Sequence, residues 1–115
     1  EANQALLKIT NKDFSFVTEQ HFSQIFKVIS ELRMQVTFIQ NTPLVLYICV
    51  FNQGEKVAQF AARIQDTLNT EAVTGLELIN IRHATPELLQ QLHKERKVLV
   101  EQTNGATAHL VVYKS

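Results

Sequence analysis

The apolar positions of this chain change period several times, and each change predicts an element. Residues Ala5 to Thr10 are short, apolar and partly β-branched and run into the polar Asn11-Lys12-Asp13, which predicts a strand followed by a loop. From Thr18 the spacing becomes helical: Phe22, Ile25, Phe26, Ile29 and Leu32 fall on one stripe. Thr18 suits the cap, Glu19 the first turn, and Val17 can staple onto Phe22. Val36 to Gln40 alternates weakly, Asn41-Thr42-Pro43 turns, and Leu44 to Phe51 is an unbroken apolar run, expected as a strand buried on both faces. After Gly54 a second helix is expected, carrying Val57, Phe60, Ala61, Ile64 and Leu68.

After Gly75 the order begins again. Leu76 to His83 reads as a strand, and Thr85-Pro86-Glu87 supplies a cap, an N1 proline and a first-turn acid for a short helix through Leu88, Leu89 and Leu92. Val98 to Gln102 and Ala108 to Tyr113 then flank the turn dipeptide Asn104-Gly105. The two hairpins superpose without a gap at an offset of 62 residues, with Val36 on Val98, Gln40 on Gln102, Ile48 on Leu110 and Phe51 on Tyr113. The pattern is an internal repeat, βαββα then βαββ, with a shorter first helix in the second copy. The expected class is α+β: tandem ferredoxin-like modules with antiparallel sheets and helices on one face, the first over residues 1–75, the second, truncated, over 76–115, together one compact unit. The outer face of Leu44 to Phe51 is expected to need covering by a partner sheet or subunit.

Composition narrows the function. Of 115 residues 45% are hydrophobic, and the 11 basic residues cancel the 11 acidic ones, so the basic excess that nucleic acid or anionic lipid attracts is missing. Neither nucleic acid nor a membrane is an expected partner. A lone Cys49 inside an apolar run allows no disulfide framework and fits a reducing, cytoplasmic setting. The chain starts at Glu1 without a Met and is expected to be a piece of a longer protein.

Catalytic constellations are missing too. The sequence has no glycine-rich phosphate loop, no His-x-x-x-His or Cys-x-x-Cys spacing and no nucleophile elbow. His21, His83, His93 and His109 are dispersed, Cys49 reads as packing, and Asp13 and Glu101 are each solitary carboxylates. Phe14, Phe16, Phe22 and Phe26 have no basic interleaving and read as core rather than as stacking platforms. Asp13, beside Ser15 and Thr18 ahead of a helix, could hold an ammonium while backbone N–H groups hold a carboxylate.

Three stretches carry a resemblance: Asn11-Lys12-Asp13-Phe14-Ser15-Phe16, Phe38-Ile39-Gln40-Asn41-Thr42-Pro43, and Gly75-Leu76-Glu77-Leu78-Ile79-Asn80-Ile81-Arg82-His83. Over nearly its whole length the chain resembles the C-terminal regulatory region of aspartokinases, which is built from two ACT modules. The resemblance implies a non-catalytic piece of an enzyme that phosphorylates aspartate with ATP at the entry to lysine, threonine and methionine synthesis. ATP and Mg would belong to a preceding kinase domain, and no cofactor is expected here. It also implies a homodimer through the ACT modules, with an amino-acid effector (lysine or threonine) between them. Carried over by position, the effector-binding residues are Asp13, Phe14, Ser15, Val17, Thr18, Phe38, Gln40, Asn41 and Thr42. Against the family pattern, the turn Gln40-Asn41-Thr42-Pro43 lacks a carboxylate and the loop Asn11 to Thr18 lacks Gly. The rival expectation is a dimerisation scaffold that binds no small molecule.

Overall fold

The computed structural model describes residues 1–113, which form six strands and three helices. In order these are β1 (Gln4–Asn11), α1 (Glu19–Glu31), β2 (Val36–Asn41), β3 (Leu46–Phe51), α2 (Lys56–Ile64), β4 (Leu68–Ile81), α3 (Pro86–Glu95), β5 (Val98–Asn104) and β6 (Thr107–Tyr113). The chain divides into two units, Ala5–Thr74 and Gly75 onward with Glu1–Gln4, and the 14-residue β4 gives its first half to one and its second half to the other.

In the first unit the strand order is β2-β3-β1-β4, the split β-α-β arrangement that the apolar pattern predicts. Period-2 alternation sends Ala5, Leu7 and Ile9 of β1 and Leu46, Ile48 and Val50 of β3 to the helix side, where they meet Ile25, Val28, Ile29, Phe60 and Ile64. The helical stripe is rotated slightly from the expected one. Val28 is buried, whereas Phe26 is 36% exposed, because the stripe centres on Ile25 and Ile29. Val17 is buried in this core and Phe22 packs against it, as a staple requires. The cap itself is unusual: His21 Nδ1 accepts from Thr18 N–H at 2.9 Å, the place a Glu or Gln normally takes in a capping box.

Three expectations need correction here. The apolar run from Leu44 contributes a strand only from Leu46, and Leu44 is 51% exposed. Helix α2 stops at Ile64, and Leu68 starts β4. Leu68 lies in the same core as Ile64, so a spacing of four that suits a helix is met instead by a turn through residues 65–67. Gly75, which reads from the sequence as a break, is internal to β4 with φ of +72°.

The second unit orders the latter half of β4, then β6, then β5. Ala108, Leu110 and Val112 form its buried centre, with Ile79, Ile81, Leu89, Leu92 and Val98 packed on it. Helix α3 has 10 residues against 13 in α1 and starts at Pro86, with Thr85 Oγ1 accepting from Leu88 N–H at 3.2 Å. The turn between β5 and β6 is Gly105-Ala106 rather than Asn104-Gly105. Asn104 pairs with Thr107, and Gly105 takes the positive φ (+62°) that a type II′ turn places first.

The two hairpins agree in register pair for pair. Val36↔Val50, Phe38↔Cys49, Ile39↔Ile48, Gln40↔Tyr47 and Asn41↔Leu46 reappear 62 residues on as Val98↔Val112, Val100↔Val111, Glu101↔Leu110, Gln102↔His109 and Thr103↔Ala108. Even the irregularity recurs, with Thr37 the extra residue in β2 and Leu99 in β5. The bond Phe51 N–H to Gln35 O (3.1 Å) likewise returns as Tyr113 N–H to Lys97 O (3.1 Å).

Candidate functional site

The loop between β1 and α1 is held from below by one buried side chain. Asn11, 4% exposed at the end of β1, donates from Nδ2 to Ser15 O (3.3 Å) and Phe16 O (2.7 Å), while its own carbonyl accepts from Phe14 N–H (3.1 Å). Carboxamide donors suit two carbonyl oxygens, and burial makes the pairing obligatory. Asp13 Oδ1 accepts from Ser15 Oγ (2.6 Å) and Ser15 N–H (3.0 Å). These two bonds, the hydroxyl first, hold its carboxyl below the usual carboxylate range, so Asp13 is an anion at neutral pH. In this loop Phe14 takes φ +60° and is 81% exposed, and Phe16 is 64% exposed. Both were expected in the core. They stay outside, in a loop whose backbone is held by the hydrogen bonds of Asn11 and Asp13.

The β2–β3 turn lies alongside. Thr42 closes it with three bonds to Val45: Thr42 N–H to Val45 O (3.0 Å), Thr42 Oγ1 to Val45 O (2.8 Å) and Val45 N–H to Thr42 Oγ1 (3.1 Å). Val17 N–H donates to Pro43 O at 3.0 Å, which ties the loop to the turn. Two stretches about 25 residues apart are thereby joined, and Gln40 in β2 keeps a buried Oε1 with no donor.

Comparison with solved structures gives the architecture its relatives. No family model matches the sequence, and no curated protein matches it. A structure described as a C-terminal regulatory domain of aspartate kinase from Porphyromonas gingivalis superposes at TM-score 0.78 and 12% identity, covering 98% of this chain and 82% of that one. The fold is that of an aspartokinase regulatory region. Aspartokinase III of E. coli in complex with lysine and aspartate (T-state) matches at TM-score 0.71 and 11% identity over 97% of this chain but only 27% of its own. The ligand-free regulatory subunit of aspartate kinase from Thermus thermophilus matches at 0.69 and 9%, covering 98% and 84%.

Within this aspartokinase-type fold the residues named from the sequence separate into three groups. Asp13, Phe14, Ser15, Thr18 and Asn41 are exposed around the loop and turn. Gln40 is half-buried, and Thr42 uses its polar groups within the turn. Val17 and Phe38 are buried, at 7% each, Val17 in the core beneath α1 and Phe38 opposite Cys49. The residue that sequence reading passed over is Asn11, whose signal was an amide ending a strand just ahead of a polar loop. Glu101 is not solitary: His93 Nε2 lies 2.7 Å from its Oε1. Among the described residues no cluster of three or more His, Cys, Asp or Glu side chains could hold a metal, and no helix is long and apolar enough to cross a membrane.

Proposed function

We propose that this chain is the regulatory region of an aspartate kinase: an amino-acid sensor and dimerisation module of the cytoplasmic enzyme that phosphorylates L-aspartate with ATP in lysine, threonine and methionine synthesis. Phosphoryl transfer, with its ATP and Mg, belongs to a kinase domain outside this sequence. The observation that carries the reading is the tie between loop and turn at Val17–Pro43, which joins an ionised Asp13 to the strand bearing an unsatisfied Gln40 acceptor. An effector's ammonium suits both groups. The lysine complex of the E. coli relative, on the same fold, supports an amino-acid effector. Effector binding between paired modules would shift the dimer between two arrangements, and a coupling of about 1–3 kcal/mol suffices for feedback control.

The second reading, a dimerisation scaffold without ligand, is favoured by the exposed Phe14, Phe16 and Leu44. Calorimetric titration of the chain with lysine, threonine and methionine separates the two. Heat from one of them, lost in Asp13→Ala, supports the sensor. Silence from all three, with a dimer by sedimentation, leaves the scaffold.

A further inference from the structure

The first unit has a second concavity that the loop reading does not use. Leu7, Ile9, Leu46 and Ile48 point into the core, so the alternate positions Lys8, Thr10 and Tyr47 stand on the opposite face of the β3-β1-β4 strands. There a cavity of about 340 Å³ is lined by Lys8, Thr10, Val45, Tyr47, Asn69, Thr70 and Glu71. Thr10 and Val45 also border an adjoining hollow of about 210 Å³, whose other walls are Phe14 and Leu44. The two make one trough with a charged end and an apolar end.

The charged end carries one residue of each sign. Lys8, half-buried on the central strand, and Glu71, exposed on β4, line one cavity, yet neither has an ion-pair partner among the described residues. A small zwitterion satisfies both, its carboxylate on Lys8 Nζ and its ammonium on the Glu71 carboxylate. The volume lies at the low end for ligand sites, which suits an amino acid and excludes a nucleotide. From that head group a side chain would run over Thr10 and Val45 to Leu44 and the Phe14 ring, where no charged residue lines the wall. An apolar side chain gains burial there, and a charged one would lose hydration without a partner. We propose that this trough binds a free α-amino acid with an apolar side chain, at a position separate from the Asp13 loop and bordering it only at Phe14.

The test follows backbone amides of the 115-residue chain by NMR during titration with L-leucine, N-acetyl-L-leucine and L-lysine. Leucine is expected to shift amides of β1, β3 and the first half of β4. At these amides the acetylated form, lacking the ammonium, and lysine should bind at least about tenfold more weakly, whatever lysine does at the Asp13 loop. Glu71→Gln, an exposed change whose unperturbed spectrum reports an intact fold, and Lys8→Gln should each weaken leucine by at least about tenfold, while Asp13→Asn, which keeps an acceptor for Ser15 and removes only the charge, leaves it within about twofold. Leucine binding indifferent to Glu71→Gln overturns the proposal, as does binding abolished by Asp13→Asn or the absence of shifts on these strands. A face closed by a second copy also overturns it, seen as concentration-dependent sedimentation that Glu71→Lys abolishes with no leucine response. Loss of the lysine response in Asp13→Asn, with leucine binding retained, supports the trough and bears on the loop separately.

Discussion

Asn11→Asp would place an acceptor where the fold needs a donor, at nearly constant volume. Two Nδ2 bonds, to Ser15 O and Phe16 O, disappear. At about 0.5–1.5 kcal/mol each they amount to about 1–3 kcal/mol. The new carboxyl, at a site 4% exposed and facing two carbonyl oxygens, is stabilised as the acid, because only the protonated form can donate. Its folded-state pKa therefore rises above the unfolded value of about 3.9, and the sign of the linkage follows. Below the unfolded pKa both states are protonated and the variant's deficit is smallest. As pH rises toward the raised folded-state pKa the deficit grows by about 1.4 kcal/mol for each unit of difference, then levels off. With a urea slope of about 1–3 kcal/mol per molar, the midpoint at pH 7 should fall by about 1 M or more, and by visibly less near pH 3.5. Asn11→Ala supplies the control, with a comparable loss of hydrogen bonds but no added pH dependence. A variant equal to the parent at pH 7, or a deficit flat with pH, would refute the assignment of Asn11 as the post that holds the loop.

The Asp13 carboxyl should titrate below its ordinary value in a carbon-detected NMR titration and move back up in Ser15→Ala. Any stability it confers is present above its unfolded pKa and is lost as pH falls through the folded one. Gly75→Ala should cost about 1–2 kcal/mol in chemical denaturation. A Cβ there meets no atom within 4 Å, so the penalty comes from φ +72° alone; a cost near zero would mean that β4 relaxes at this point. Phe60→Ala, at a fully buried position on α2, should cost about 3–5 kcal/mol, and a loss under 1 kcal/mol would contradict its place in the core. Thr85→Ala should remove about 0.5–2 kcal/mol by uncapping α3.

The hairpins were legible because each sets apolar stretches on either side of a turn signal, Asn41-Thr42-Pro43 or Asn104-Gly105, and a one-residue slip would expose Ile48 or Leu110. Offsets between them therefore transmit register, and the bulges at Thr37 and Leu99 follow. The first half of β4 was not legible. In Leu-Asn-Thr-Glu-Ala-Val-Thr only Leu68 is buried, and with little to bury there is little alternation to read. Leu68 also continues the spacing of Ile64, so the preceding helix looked longer than it is. The loop shows another limit. Phe14 and Phe16 carry a core composition but stand exposed in a loop held by the hydrogen bonds of Asn11 and Asp13, polar contacts that hydropathy does not encode. In the same way the trough depends on which residues of β1, β3 and β4 become neighbours, and Lys8 and Glu71 lie 63 positions apart.

The repeated bulge has a consequence for solubility. Among the described residues no strand lies beyond β2 in the first unit or beyond β5 in the second, so each is a sheet edge. A straight free edge would template the addition of like strands from other molecules, as fibrils do. In both units the extra residue twists the edge within its first three positions, at Thr37 and at Leu99, and shortens the regular ladder open to an incoming strand. Deleting Thr37 or Leu99 would straighten that edge. The hazard created would be aggregation, in a chain that at zero net charge has no electrostatic repulsion to oppose it.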